Sequence, residues 1–138
     1  MNYNLKKFYS NNKVLIIGAT GFKGAWLSLW LNILGAKVSG IGYNPNNNKK
    51  LFKQLELEKK NKLKNIDIRN YNKVLNNIKK IKQQIVFHLA AQTIISKSYE
   101  LPKYTYEVNS LGTLNLIECL KNLYALQIPK KPIIPLDA

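Results

Sequence analysis

The sequence predicts an α/β protein built on a doubly wound parallel sheet. Two observations lead to this fold class. Short, continuous apolar runs alternate along the chain with segments whose apolar residues recur at helical spacing, and a glycine-rich turn joins the first run to the first such segment. Strands separated by helices are connected by right-handed crossovers and form a parallel sheet covered on both faces. We expect this sheet to stop after four or five strands.

The first predicted strand is Lys13–Ile17, a continuous apolar run of the kind found in buried parallel strands. Glycines follow it at positions 18, 21 and 24. The segment behind them is predicted to be a helix because its apolar residues have helical spacing. These residues are Trp26, Leu27, Trp30, Leu31 and Leu34.

Three glycines in a turn from a strand into a helix are typical of dinucleotide binding. Gly18 permits the tight turn, Gly21 lets the backbone approach a pyrophosphate, and Gly24 allows the helix to pack closely on the strand. The helix N-terminus offers N–H groups and the positive end of the helix dipole to the phosphates. The alternative interpretation is a tight turn that holds no ligand.

The later elements continue the alternation. The predicted strands are 36–42, 65–68 and 84–90, with a polar turn at 44–48 and a surface helix or loop at 49–64. A helix is predicted at 71–82, with Val74, Leu75, Ile78 and Ile81 on one stripe. A long helix is predicted at 104–124, and we expect Leu111, Leu114, Ile117 and Leu120 to face the sheet.

Composition limits the class of protein. With 138 residues the chain is sized for one domain. Its net charge of +15 suggests nucleic-acid binding, but only Arg69 among the 22 basic residues is arginine, and lysine and asparagine are spread over the predicted helices and loops. Readers of nucleic acid favour arginine for its bidentate fork, so we expect a solvated basic surface and no nucleic-acid partner.

Cys119 is the sole cysteine, which excludes a disulfide framework and suggests a reducing compartment. No apolar run reaches 18 residues, and the first 12 residues lack the apolar stretch of a signal peptide. We therefore expect a cytoplasmic protein without a membrane span.

Candidate site residues follow the predicted strands, because ligands on such sheets bind outside the carboxyl ends of the strands. Asp67 can accept a hydrogen bond from an adenine amino group, or it can cap the following helix. The alanines of His88–Gln92 leave room for a ribose. His88 has no second His or Cys at ligand spacing, so we interpret it as a hydrogen-bonded strand-end residue and predict no metal site.

Four segments together resemble the extended short-chain dehydrogenase/reductase family in order and spacing. They are the turn 18–24 with two residues between its first glycines, the element 67–69, the segment 88–92 and the segment 109–118. Within that family, the string 21–31 with its tryptophan pair, the string 86–92 and the segment 98–102 look most like the CDP-glucose 4,6-dehydratases. The resemblance runs from about residue 13 to 124.

This resemblance implies a Rossmann-like fold, NAD as cofactor and a nucleotide-sugar substrate, CDP-glucose. It places the pyrophosphate at Gly18, Thr20, Gly21, Phe22, Lys23 and Gly24, the adenine at Asp67 and Ile68, and the nicotinamide side at Leu89, Ala90, Ala91 and Gln92. Thr93 and Ser98 would lie near the substrate. Asn109 matches the family's helix asparagine, a structural or proton-relay position. The residues after strand 36–42 are Tyr43 and Asn44, neither the acid typical of NAD sites nor an arginine, so NAD is expected from the resemblance alone.

The implied reaction takes hydride from sugar C4, loses water across C5 and C6, and returns hydride to C6. It needs a tyrosine of lowered pKa with a lysine four residues on, which the family carries on and after its fifth strand. Three pairs here have that spacing, Tyr3/Lys7, Tyr9/Lys13 and Tyr99/Lys103. The first two precede the first strand, and Pro102 interrupts the third. No catalytic residue is predicted.

We expect an N-terminal extension at 1–12, an incomplete NAD(P)-binding domain at 13–127 and an aberrant proline-rich tail at 128–138, where Pro135 lies at a position that needs a strand N–H. A truncated gene, a fragment and half of a split enzyme each fit this pattern. The partner would be a second copy or a complementing C-terminal chain. The alternatives in function are another sugar-nucleotide epimerase or dehydratase, and a non-catalytic dinucleotide-binding or interaction module.

Overall fold

The sheet confirms the predicted fold class. A computed structural model describes residues 4–44 and 50–124. These residues form a four-stranded sheet in the order β3-β2-β1-β4, and every pairing within it is parallel. The strands are β1 Lys13–Ile17, β2 Lys37–Gly42, β3 Lys62–Asn65 and β4 Ile85–His88.

Helices connect the strands along the described chain. They are α1 Leu5–Tyr9, α2 Phe22–Ile33, α3 Lys50–Gln54, α4 Leu57–Lys60, α5 Tyr71–Ile81, α6 Ile95–Glu100, α7 Pro102–Tyr106 and α8 Gly112–Tyr124, with a π-helical segment at Glu107–Leu111 between α7 and α8. Within the described ranges, none of these helices has the length and apolar character needed to cross a membrane.

Strand β1 lies at the centre and is buried on both faces. Its alternate side chains enter two separate cores, as the period of a strand requires. Val14 and Ile16 pack with residues of α2, α3 and α4. Leu15 and Ile17 pack with residues of α5 and α8. The continuous apolar run of β1 is therefore explained by helices that cover the strand on both faces.

The chain moves outward from β1 in both directions, because β1 pairs with β2 on one side and with β4 on the other. The connections consequently diverge at β1, and a crevice opens there outside the carboxyl ends of the strands. Ile17 lies beside Ile41 and His88 in the register, so the ends of β1, β2 and β4 meet at this edge.

The predicted third strand is wrong by three residues. The strand is Lys62–Asn65, which pairs with Ser39–Gly42, and residues 66–68 continue beyond it as a loop. β3 lies at the edge of the sheet, and Leu63 is its partly buried side chain. Because lysines flank Leu63, β3 lacks the continuous apolar run from which a strand is predicted.

The segment 49–64, predicted as a surface helix or loop, contains helices with many exposed residues but also contributes to the core. From residue 50 onward it folds as α3, α4 and β3, and the side chains of Phe52 and Leu57 are fully buried in one core. The predicted turn 44–48 falls outside the described residues after Asn44. So do the tail at 128–138 and the first three residues of the proposed extension.

Two helices present other faces than expected. In α2 the side chains of Trp26 and Trp30 are about half exposed, at 47% and 50%, while Leu31 is buried. The predicted sheet-facing stripe is wrong for Leu111, Leu114 and Ile117, which are exposed, and right for Leu120, which packs on the core. The buried residues of α8 are Gly112, Leu116 and Cys119. The π-helical segment before α8 changes the rotational phase of the helix, which periodicity alone does not reveal.

Candidate functional site

A cleft of about 470 Å³ lies at the carboxyl ends of β1, β2 and β4. Ten of the predicted site residues line it: Gly18, Thr20, Gly21, Asp67, Ile68, Leu89, Ala90, Ala91, Gln92 and Thr93. Ile94, Lys97, Tyr104 and Val108 also line it, although the sequence did not predict them as site residues. Their signal in the sequence is only that they come after β4 in the chain.

Five predicted site residues do not line the cleft. Phe22 is 74% exposed at the start of α2, and Lys23 beside it is also exposed. Gly24 is buried against the turn, and Asn109 and Ser98 contribute hydrogen bonds to the loop after β4. Gly24, Ser98 and Asn109 thus support the walls of the cleft, whereas Phe22 and Lys23 lie at the surface.

The turn after β1 requires glycine at two positions where a Cβ has no room. Gly18 has a φ of +89°, and a Cβ there would lie 2.6 Å from the backbone nitrogen of Ala90. A Cβ at Gly24 would lie 2.8 Å from the Cα of Ala19 and closer still to the carbonyl oxygen of Gly18. These contacts involve backbone atoms, so they leave no room for any other residue type.

The first turn of α2 faces this cleft with a glycine as its N-cap. Gly21 supplies no side-chain hydrogen bond to the helix, unlike Asn70, whose side chain accepts from the N–H of Lys73 at the start of α5. The first N–H groups of a helix have no intrahelical acceptor. The N-terminus of α2 therefore offers N–H donors and the positive end of the helix dipole beside the cleft, an arrangement that suits an anion.

Thr20 closes the turn against β2. Its side chain is buried, and a Cβ on Gly42 would lie 2.6 Å from the Oγ1 of Thr20. The N–H of Gly18 also donates to the carbonyl oxygen of Ile41, at 2.7 Å. Thr20 thus acts through packing on the end of β2 as well as through its position in the cleft.

A charged cluster holds the loop after β3. The Nη2 of Arg69 donates to Oδ2 of Asp67 at 2.6 Å, and its Nε lies 3.1 and 3.0 Å from the two carboxylate oxygens. Burial opposes ionisation of Asp67, but the hydrogen bonds from Arg69 outweigh it and the pKa of the carboxyl lies below its usual value. The same hydrogen bonds to Asp67 raise the pKa of Arg69. Asp67 is therefore held as an anion at the edge of the cleft.

An amide pair holds the loop after β4. The N–H of Gln92 donates to Oδ1 of Asn109 at 2.8 Å, and Nδ2 of Asn109 donates to the carbonyl oxygen of Gln92 at 3.0 Å. The Gln92 side chain accepts from the N–H of Ile94 and donates to the hydroxyls of Ser98 and Thr105. Gln92 and Ser98 consequently position the loop that borders the cleft.

His88 ends β4 in a partly buried position. Its Nε2 lies 2.8 Å from the Oγ1 of Thr113, whose hydroxyl donates to the carbonyl oxygen of Asn109. The Nε2 of His88 is therefore the donor to Thr113. Burial lowers the pKa of His88, which favours the neutral ring. No group of three His, Cys, Asp or Glu within residues 4–44 and 50–124 is arranged to hold a metal ion.

Comparison with known proteins adds three findings. The family model described as GDP-mannose 4,6 dehydratase matches residues 15–131. The CDP-glucose 4,6-dehydratase of Salmonella typhimurium is 41% identical over 118 residues, covering 86% of this chain and 33% of that protein. The UDP-glucose 4-epimerase of Mycoplasma genitalium is 32% identical over 117 residues, covering 83% of this chain and 33% of that protein.

Solved structures show the same likeness. The UDP-glucose 4-epimerase of Thermus thermophilus in complex with NAD has a TM-score of 0.71 and 29% identity, covering 80% of this chain and 34% of that one. The epimerase Mth375 of Methanothermobacter thermautotrophicus has a TM-score of 0.75 and 26% identity, covering 86% and 34%. The chain spans about a third of the length of the curated relatives it matches.

Proposed function

Because the chain belongs to the GDP-mannose 4,6-dehydratase family, we propose that its cleft binds NAD and forms the cofactor-binding part of a CDP-glucose 4,6-dehydratase. One observation carries the proposal. At Gly18 and Gly24 a Cβ would overlap backbone atoms, and the cradle that results lies at the divergence point of the sheet, at the N-terminus of α2. The residues present fit a dinucleotide.

The three parts of the cofactor have separate places in this proposal. The turn 18–24 holds the pyrophosphate through backbone N–H groups. Asp67 and Ile68 contact the adenine, and residues 89–92 border the nicotinamide side. Thr93 lies in the same cleft, where the sugar nucleotide would enter.

Bound NAD would supply the hydride acceptor for sugar C4 and the hydride donor for C6. The chain's own residues would bind and orient this cofactor. Asn109 holds the loop 89–92 through the backbone of Gln92, and the Asp67 carboxylate stays ionised because Arg69 donates to it. The walls of the cleft are thus held in place by hydrogen bonds within the chain.

The catalytic tyrosine and lysine lie outside residues 4–44 and 50–124 in this proposal. Tyr99 is 84% exposed in α6, while Lys103 follows Pro102 in α7, so a helix break separates the two. Tyr9 ends α1 and Lys13 begins β1, at the amino end of the sheet and away from the cleft. Tyr3 is outside the described residues.

A titration of the purified chain with NAD tests the proposal. We expect saturable binding by calorimetry, and we expect the Gly21→Ala variant to bind more weakly because a Cβ intrudes where the backbone meets the pyrophosphate. Absence of binding to the folded chain would contradict the proposal. Conversion of CDP-glucose to its 4-keto-6-deoxy product by these 138 residues alone would contradict the assignment of the catalytic pair elsewhere.

Within the family the alternative substrate is another sugar nucleotide, since relatives named as GDP-mannose dehydratases and a UDP-glucose epimerase are about 30% identical. The 41% identity to a CDP-glucose dehydratase favours the first choice. We keep 13–127 as the proposed cofactor domain, a cytoplasmic location, and a second copy or a complementing chain as the proposed partner.

A further inference from the structure

The chain contains a single arginine among its 22 basic residues, and that arginine lies in the loop after β3. Lysine serves at the other 21 positions. Arginine differs from lysine in its planar fork, which can contact both oxygens of a carboxylate at once. Among the basic side chains of this protein, Arg69 alone has a fork that can make a bidentate contact with a carboxylate.

The structure shows such a geometry on Asp67. Three N–H groups of Arg69 reach the carboxylate: the backbone N–H at 2.9 Å from Oδ1, Nε at 3.1 and 3.0 Å from the two oxygens, and Nη2 at 2.6 Å from Oδ2. An ionised carboxylate has about four acceptor positions. Three donors leave about one for a further N–H group.

Asp67 separates Arg69 from the cofactor cleft. Asp67 lines the cleft, and it also lines a second pocket, which is bordered by Arg69, Glu107 and Asn115. Arg69 is not among the residues that line the cleft. The guanidinium consequently approaches the carboxylate from the side away from the cofactor.

The guanidinium is itself held by the helical segments beyond β4. Its Nη1 donates to Oε2 of Glu107 at 3.0 Å, and its carbon lies 4.9 Å from the centre of the Tyr104 ring. The Nδ2 of Asn115 donates to the carbonyl oxygen of Arg69 at 2.9 Å. A lysine ammonium, a single point charge, cannot contact two carboxylates and a ring in this arrangement.

We propose that Arg69 is a positioning residue that orients the Asp67 carboxylate so that one acceptor position meets the adenine amino group, and that it thereby makes the cleft select adenine over other purines. The inference rests on the proposed NAD binding. Arg69 touches no part of the cofactor and acts through Asp67 alone.

The test compares two dinucleotides: NAD, and nicotinamide hypoxanthine dinucleotide, in which a carbonyl oxygen replaces the adenine amino group. The hypoxanthine carbonyl oxygen cannot donate a hydrogen bond to the Asp67 carboxylate. We therefore expect the wild-type chain to bind NAD about ten-fold more tightly than the hypoxanthine dinucleotide. The Arg69→Lys variant should keep a cation and lose the fork, and the ratio of the two affinities should fall to about two-fold.

Glu107→Gln is the matched control, because it removes a negative charge beside the same guanidinium, keeps an amide oxygen that can accept from Nη1, and leaves the contacts with Asp67. We expect its ratio to stay near the wild-type value. A purely structural role for Arg69 would weaken both dinucleotides equally and leave the ratio unchanged in Arg69→Lys, which would overturn the proposal. A wild-type ratio near one overturns it without any variant, so the test does not depend on the variant folding. No binding of NAD to the wild-type chain would instead overturn the proposed function.

Discussion

The turn after β1 and the loops after β3 and β4 border the same cleft, but different interactions hold them in place. Glycine backbone in van der Waals contact shapes the turn, with no room for a Cβ at Gly18 or Gly24. Side-chain hydrogen bonds to the helical region 102–124 hold the loops, from Gln92 to Asn109 and from Arg69 to Glu107. Gly24 packs against the turn itself and Gly18 against the backbone of Ala90, whereas each loop depends on a side-chain partner 17 to 38 residues away.

This difference separates two kinds of vulnerability. A substitution in the turn introduces atoms where backbone already lies, and backbone cannot rotate aside as a side chain can. A substitution in the loops removes a hydrogen bond and leaves its partner to be solvated or unsatisfied. The turn should consequently tolerate change at fewer positions, and with larger penalties, than the loops.

Gly24→Ala is expected to have the largest effect. The new Cβ would overlap the carbonyl of Gly18 and the Cα of Ala19, so the free energy of unfolding should fall by about 3 kcal/mol, measured by urea denaturation followed by far-UV circular dichroism.

Gly21→Ala is the matched control. Its Cβ would have a single near neighbour, the carbonyl oxygen of Gly18 at 3.3 Å, and its φ of −70° suits any residue, so the loss should stay under about 1 kcal/mol. Equal losses at positions 21 and 24 would show that backbone overlap does not shape the turn.

Asn109→Ala should come second. It removes the acceptor of the Gln92 N–H and the donor to the Gln92 carbonyl, both partly buried, at a cost of about 1–3 kcal/mol. Hydrogen exchange should show faster exchange of the Gln92 amide.

Asn109→Asp keeps the acceptor and loses the donor, so its stability and the protection of the Gln92 amide should lie between those of the wild type and the alanine variant. Unchanged protection of Gln92 in Asn109→Ala would refute a loop held by this pair.

The pH dependence of stability should give a smaller effect through His88. Burial puts its folded pKa below the ordinary 6.5, so the unfolded state binds more protons once the pH falls under that value. Stability should be unaffected by His88 above about pH 7 and should decline as the pH falls from 6.5 toward the folded pKa, seen as a melting temperature lower by a few degrees.

His88→Gln should remove this decline. His88 is the sole histidine of the chain, and the pKa of Asp67 is lowered while that of Cys119 is raised, so none of these other groups titrates in the same window. A decline that persists in the variant would assign it to another group.

Asn44→Asp should have the smallest effect on stability and an effect on cofactor choice. Tyr43 and Asn44 follow β2 and line the cleft, and neither is an acid that could hold a ribose 2′-hydroxyl. Asn44 has a φ of +44°, a conformation that aspartate also tolerates.

We expect Asn44→Asp to melt like the wild type and to favour NAD over NADP about ten-fold more strongly, measured by parallel titrations. An unchanged ratio would place the 2′ position of the ribose away from residue 44.

The sequence predicted those parts of the fold in which the pattern is local. Strand β1 was predicted with its observed bounds, and the glycine turn, the helix after it and the fold class were confirmed. The resemblance to a sugar-nucleotide dehydratase family was confirmed as well. Asp67 and the residues 89–92 lie at the cleft because parallel strands bring their carboxyl ends to one edge.

The failures share a physical cause. The buried face of α8 depends on a π-helical segment and on Gly112, where a Cβ would lie 2.6 Å from a side-chain carbon of Ile68. The burial of Phe52 and Leu57 depends on where α3 and α4 pack against α2 and β1. Both depend on contacts between distant segments, and such contacts leave no periodic pattern in the sequence.

The sequence by itself therefore determined the alternation of strands and helices and the position of the glycine turn, because these patterns involve residues a few positions apart in the chain. Only the tertiary structure decided which side chains hold the walls of the cleft. The contacts of Arg69 with Glu107 and of Gln92 with Asn109 join residues that are distant in the chain, and the packing of helices on the sheet brings them within hydrogen-bond distance.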